Sequence, residues 1–230
     1  MLFRSMVPVP MPQIALEGKR ALVLGLGAVG SRCAAALATM GMEVHAVTRS
    51  APRNGARRRL PSGAQVWLHP SDALMEQLAL TSALLVCVPG TRETAGLIGR
   101  AQLAALPAAR AVVVNVARGS CVDEDAVHAA LASGHLFGYA SDVWWKYPDA
   151  WSEVESTPPW SSPEASLAPL PHCTVLSPHR GGAVGLEETE QRRWRGLAAA
   201  LNAAARRGGR GALDALEVEP LGRFSLELGY

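Results

Sequence analysis

Arg20-Ala21-Leu22-Val23-Leu24-Gly25-Leu26-Gly27-Ala28-Val29-Gly30 is the stretch on which the fold turns. An apolar run of strand length ends in a glycine turn, and the turn opens a helical pattern, Val29–Met40. Each glycine has its own physical task. Gly25 makes the tight turn, Gly27 lets a pyrophosphate approach the backbone, and Gly30 lets the helix pack close to the strand. The phosphates then sit where free amides and the helix dipole favour negative charge. A glycine triplet alone is a weak signal, but the strand–turn–helix setting is the one that dinucleotide binding requires.

Working outward, further apolar runs follow at Val44–Val47, Gln65–Leu68, Leu84–Val88, Ala111–Asn115, Gly138–Val143 and Thr174–Leu176. Between them lie helical spacings at Ser71–Leu78, Ala101–Leu106 and Asp123–Ala132, the last with Asp123 as N-cap and Gly134 as stop. Strands alternating with helices predict an α/β fold, a Rossmann-type doubly wound parallel sheet covered on both faces. Residues 1–16 read as a loose leader and residues 17–183 as one cofactor-binding domain. Residues 148–172 form an irregular excursion with five prolines after Pro148 and two tryptophans. Residues 184–230 hold a C-terminal helix, Leu186–Arg207, and a tail.

The end of the second strand selects the cofactor. Folds that prefer NAD place a carboxylate there for the ribose hydroxyls, whereas this chain has Thr48-Arg49-Ser50. A guanidinium beside small hydroxyls suits a 2′-phosphate, and Arg53 stands ready to assist. NADP(H) is therefore the expected cofactor, with NAD(H) as the alternative.

The bulk numbers agree with a globular protein of this kind. Of 230 residues, 49% are hydrophobic and 18% are charged, with a net charge of +2, so a buried core is expected and nucleic acid is not. Arg57, Arg58 and Arg59 read as a solvated loop face. No apolar stretch reaches the roughly 18 residues that a membrane span needs, and the proline-broken N-terminus is unlike a signal peptide. Cys33, Cys87, Cys121 and Cys173 lack metal-ligand spacing and read as reduced thiols in a cytoplasmic protein, with no metal expected. His45, His69, His128, His135 and His172 read as structural or solvated.

Three more stretches carry a family resemblance. Val88-Pro89-Gly90-Thr91-Arg92-Glu93-Thr94-Ala95-Gly96-Leu97-Ile98 resembles a strand-end proline followed by a T-x-x-T-x-x-L-I run. Val114-Asn115-Val116-Ala117-Arg118-Gly119 resembles an N-x-x-R-G signature, and Ser177-Pro178-His179-Arg180-Gly181-Gly182 a P-H-x-x-G turn. With the glycine turn and Asp142-Val143-Trp144, their order and spacing are similar to those of the NAD-binding domain of D-isomer-specific 2-hydroxyacid dehydrogenases, which include glyoxylate/hydroxypyruvate reductases and phosphoglycerate dehydrogenases.

The resemblance implies an oxidoreductase that moves hydride between a nicotinamide and a 2-keto or 2-hydroxy acid. Arg118 would clamp the substrate carboxylate, His179 would exchange a proton with the carbonyl oxygen, and Asp142 would meet the nicotinamide carboxamide. Val88, Pro89 and Thr94 would line the adenine and ribose side. Val116, Ala117 and Gly181 complete the implied cofactor contacts, with Arg118 and His179 touching both ligands.

Two departures stand out. Where the family has a Glu paired with the catalytic His, an ungapped alignment from Asp142 puts Tyr147, whose phenol can hold the ring but brings no charge. Family members also carry a substrate-binding domain ahead of the cofactor domain, whereas only about 16 residues precede Glu17-Gly18-Lys19 here. A non-catalytic NADP(H)-binding remnant, or a fragment completed by a partner chain, is the alternative reading. Trp144, Trp145, Tyr147, Trp151 and Trp160 then suit a cover for the vacant face, a homodimer interface or simple core packing.

Overall fold

The structure is a computed structural model, and it describes residues 15–147 together with 160–162, 166–167, 173–177, 179, 181, 191, 195, 217–218 and 222–223. Eight strands form one sheet in the order β3-β4-β2-β1-β5-β6-β7-β8. They are β1 (Arg20–Leu24), β2 (Glu43–Val47), β3 (Ala56–Arg59), β4 (Gln65–His69), β5 (Ala83–Val86), β6 (Val112–Asn115), β7 (Gly138–Ser141) and β8 (Cys173–Leu176). Within this sheet every pairing is parallel except β3 with β4.

The apolar runs form these strands because a central parallel strand is buried on both faces and has no polar side to show. Ala21, Leu22 and Val23 are fully buried, as are Leu84 and Val86. On one face β1, β2 and β5 bury Val23, Val44, Ala46 and Leu85 against Ala34 of helix α1 (Ala28–Thr39). On the other, Leu22, Leu24 and Leu84 pack with three further helices. These are α2 (Leu74–Leu78), α3 (Arg100–Ala105) and α4 (Glu124–Ala132). Asp123 caps α4, its Oδ1 accepting from the Ala126 amide at 2.7 Å, and Gly134 takes the left-handed turn after it.

Two expectations change. Arg57–Arg59 belong to a strand rather than a loop. They run antiparallel to β4 as the sheet's edge, where the Arg57 guanidinium lies 3.7 Å over the Trp67 ring. Ser71–Leu78 divides into a 3₁₀ turn, Ser71–Ala73, and the short helix α2. Residues 1–14, Trp151 and most of the C-terminal helix and tail lie outside the described residues. Among the described residues, no helix is long and apolar enough to cross a membrane.

The chain leaves β1 toward β2 on one side and returns through β4 to β5 on the other. The strand order therefore reverses between β1 and β5, where open α/β sheets bind ligands beyond their carboxyl ends.

Candidate active site

The glycine turn lies at this reversal. Gly25 has φ +85°, and a Cβ there would stand 3.0 Å from the Cys87 carbonyl oxygen. A Cβ on Gly30 would fall 1.9 Å from the Gly25 carbonyl oxygen, so α1 approaches the turn as closely as it does only without one. Gly27 differs: a Cβ there would meet nothing within 4 Å. It borders open space, at the N-cap of α1. No side chain caps that helix and no acidic residue occupies its first turn, so its leading amides and positive dipole end face outward. These features fit a pyrophosphate.

Across the reversal, the Pro89–Thr94 turn is fastened by one side chain. Thr94 Oγ1 donates to the Pro89 carbonyl at 2.6 Å and accepts from the Thr91 amide at 2.8 Å. Glu93, fully exposed, is held below the usual carboxylate range by the Thr91 hydroxyl and its own backbone amide, with Arg49 a smaller contributor. Arg49 at the end of β2 is thus within electrostatic reach of the turn that follows β5.

At the end of β6, Asn115 is fully buried and shapes the Arg118 turn. Its Oδ1 accepts from the Ala117 amide at 3.1 Å, and its Nδ2 donates to the Arg118 carbonyl at 3.0 Å. Arg118 itself is exposed, with one guanidinium N–H donating to the Ala117 carbonyl at 2.7 Å. Two glycines hold space around it. A Cβ on Gly119 would sit 2.0 Å from the Trp144 carbonyl oxygen, and one on Gly90 would sit 2.6 Å from Arg118 Cγ. The sequence reading passed over Gly90, although a glycine after a strand-end proline is the available signal for such a close approach.

Asp142 follows β7 and joins two loops. One carboxylate oxygen hydrogen-bonds the Ser177 hydroxyl, and the other accepts from the Gly181 amide at 2.7 Å. A Cβ on Gly181 would come within 2.6 Å of that carboxylate. His179 lies inside the tethered segment, exposed and at φ +56°. Tyr147 meets it ring to ring, the centroids 5.5 Å apart and the planes at 48°. The phenol oxygen points elsewhere and accepts from the Trp144 amide at 2.9 Å. Tyr147 thus buttresses the imidazole by its face.

Trp144 and Trp145 serve the core. Trp144, 7% exposed, donates from its indole N–H to the Ser177 carbonyl at 2.8 Å, and Trp145 donates to the Val122 carbonyl at 2.7 Å. Trp160 packs edge-on to Trp144 at 6.5 Å. The Ser161 amide donates to Glu124 at 2.7 Å. The described part of the excursion is therefore anchored to α4 and to the loop after β7.

One family model matches the chain. It is that of the D-isomer-specific 2-hydroxyacid dehydrogenase NAD-binding domain, over residues 6–181. The chain belongs to this family. It is 31% identical over 182 residues to the D-3-phosphoglycerate dehydrogenase of Dictyostelium discoideum, covering 76% of this chain and 40% of that protein. It is 31% identical over 188 residues to the glyoxylate/hydroxypyruvate reductase A of Klebsiella pneumoniae strain 342, covering 81% and 55%. A D-isomer-specific 2-hydroxyacid dehydrogenase from Xanthobacter autotrophicus Py2, solved in complex with NADPH and MES, superimposes with a TM-score of 0.56 at 36% identity, over 73% of this chain and 46% of that one. The chain spans about half or less of the length of these relatives. In this cofactor domain the turns bearing Arg118 and His179 lie beyond β6 and β8, at the sheet's carboxyl edge.

Proposed function

We propose that this chain carries the cofactor-binding half of an NADPH-dependent reductase of small 2-keto acids, with Arg118 and His179 as its chemical groups. The supporting observation is the Asp142 tether. By holding Ser177 and Gly181 together, it places His179 beyond β8, on the same carboxyl edge of the sheet as the Arg118 turn beyond β6.

In this reading Arg118 binds the substrate carboxylate through its planar fork and draws electron density from the adjacent carbonyl. His179, protonated, donates to the carbonyl oxygen as that carbon is reduced, and takes the proton back in the reverse direction. The nicotinamide, when bound, supplies the hydride. The glycine turn positions it through the pyrophosphate, and the carboxylate-free Thr48-Arg49-Ser50 turn favours the 2′-phosphate form.

The test is a titration of the purified chain with NADPH and NADH, followed by nicotinamide fluorescence, with glyoxylate or hydroxypyruvate then added. Tighter NADPH binding and its oxidation on addition of keto acid, lost in Arg118→Gln and His179→Asn with cofactor binding kept, is the expected result. Binding without oxidation would overturn turnover by this chain alone. Failure to bind either nucleotide would overturn the cofactor site.

A further inference from the structure

We infer that His69 is a second, proton-dependent contact for the 2′-phosphate of NADPH, positioned by a Glu43–His45 relay running beneath the sheet's carboxyl edge. The inference rests on the NADPH reading above and adds a residue that the Thr48-Arg49-Ser50 turn does not contain.

The relay is continuous. His45 is 5% exposed on β2, and its Nε2 lies 3.0 Å from Glu43 Oε1. Its Nδ1 lies 2.8 Å from Nε2 of His69 at the end of β4, the rings 9° from parallel. Hydrogen-bond accounting fixes the protons. A carboxylate only accepts, so neutral His45 carries its proton on Nε2 and must accept at Nδ1. His69 therefore donates from Nε2, and its Nδ1 is left to take up the next proton.

His69 lines a cavity of about 720 Å³ together with Arg53, Arg57, Trp67, Asp72 and Glu76. The cofactor-selecting turn is joined to His69 through the backbone, because the Thr48 amide donates to the His69 carbonyl at 3.0 Å and Val47 pairs with His69 in register. Arg53 belongs to the loop leaving that turn. A phosphate monoester projecting from a ribose over Thr48–Ser50 toward β4 thus meets Arg53 and, when it is protonated, His69.

The groups facing the two rings are mixed: Arg20 of β1, Glu43 of β2, Arg57 of β3, Arg53 of the loop, and Asp72 and Glu76 of the α2 segment. Burial, and more weakly Arg20, push both histidines below the usual range, so His69 is neutral at pH 7 until an anion arrives. Binding a phosphate there takes up a proton.

The experiment measures Kd for NADPH and NADH by fluorescence between pH 8 and 6, in the full chain and in His69→Gln, with folding checked by thermal melts and His69→Asn as substitute. The NADPH-over-NADH ratio rises on acidification in the wild type, by about tenfold at most per pH unit for one linked proton. His69→Gln removes the rise and leaves only the weakening expected as the phosphate itself protonates near pH 6. His45→Gln shifts the midpoint of the rise, a readout that a purely structural role would not move. NADPH preference with equal slopes in wild type and His69→Gln would overturn the inference alone. Absence of any NADPH preference would overturn the cofactor reading as well.

Discussion

Asn115 shows how much a single side chain decides. Its amide satisfies one donor and one acceptor of the Arg118 turn from a fully buried position. Asn115→Ala leaves both backbone groups without these partners, at an expected cost of about 1–3 kcal/mol. Urea melts test this. Cys33 offers a second test at the same scale. A hydrogen bond from the Cys87 thiol holds Cys33 down to about 7, while that contact and burial push Cys87 up. Iodoacetamide alkylation of Cys33 is therefore half-maximal near pH 7, and Cys87→Ala moves the midpoint toward the usual 9.0. The turns that present Arg118 and His179 were readable in the sequence because local motifs carry them. The pairing of His45 with His69 was not, because residues 24 positions apart met only through the register of β2 and β4.

At the scale of elements, the glycine turn separates folding from binding. Gly30→Ala drives a methyl into the Gly25 carbonyl, so α1 must shift. The expected loss is about 1–3 kcal/mol in stability, with cofactor affinity lost as well. Gly27→Ala meets no atom, and its φ of −77° suits alanine, so stability changes by less than about 0.5 kcal/mol while NADPH binding weakens at least tenfold. Calorimetry on both variants, each with a nucleotide titration, checks the contrast; equal stability losses would refute it. Most strands and helices were placed by the sequence reading to within two residues, because apolar runs and caps are local signals. The strand character of β3 was not, since Ala-Arg-Arg-Arg has no apolar alternation. Pairing with β4 and the stacking of Arg57 on Trp67 hold it in the sheet.

Across the whole molecule, the two histidines tie stability to pH. Both titrate below the ordinary value of 6.5, chiefly through burial, so below that pH the unfolded chain binds more protons than the folded one. Stability is therefore flat above about pH 7 and falls as pH drops through 6.5, levelling once the folded histidines also protonate. Glu43, held below 4.5 first by its hydrogen bond to His45, adds a contribution present above that pH and lost beneath it. Urea midpoints from pH 8 to 5 show the slope, and His45→Gln reduces it. That the sheet is mostly parallel and doubly wound followed from the sequence, because strands there alternate with helices. The antiparallel edge strand β3 lay beyond that logic.

That strand puts charge where a sheet is open to extension. An outermost strand ordinarily offers a row of unpaired amides and carbonyls on which another chain can lengthen the sheet. Arg57, Arg58 and Arg59 fill three of the four positions of β3, and all three are exposed. A second copy laid alongside would bring six guanidinium groups into one short ladder. At this end like charges oppose the lengthening of the sheet by a second copy.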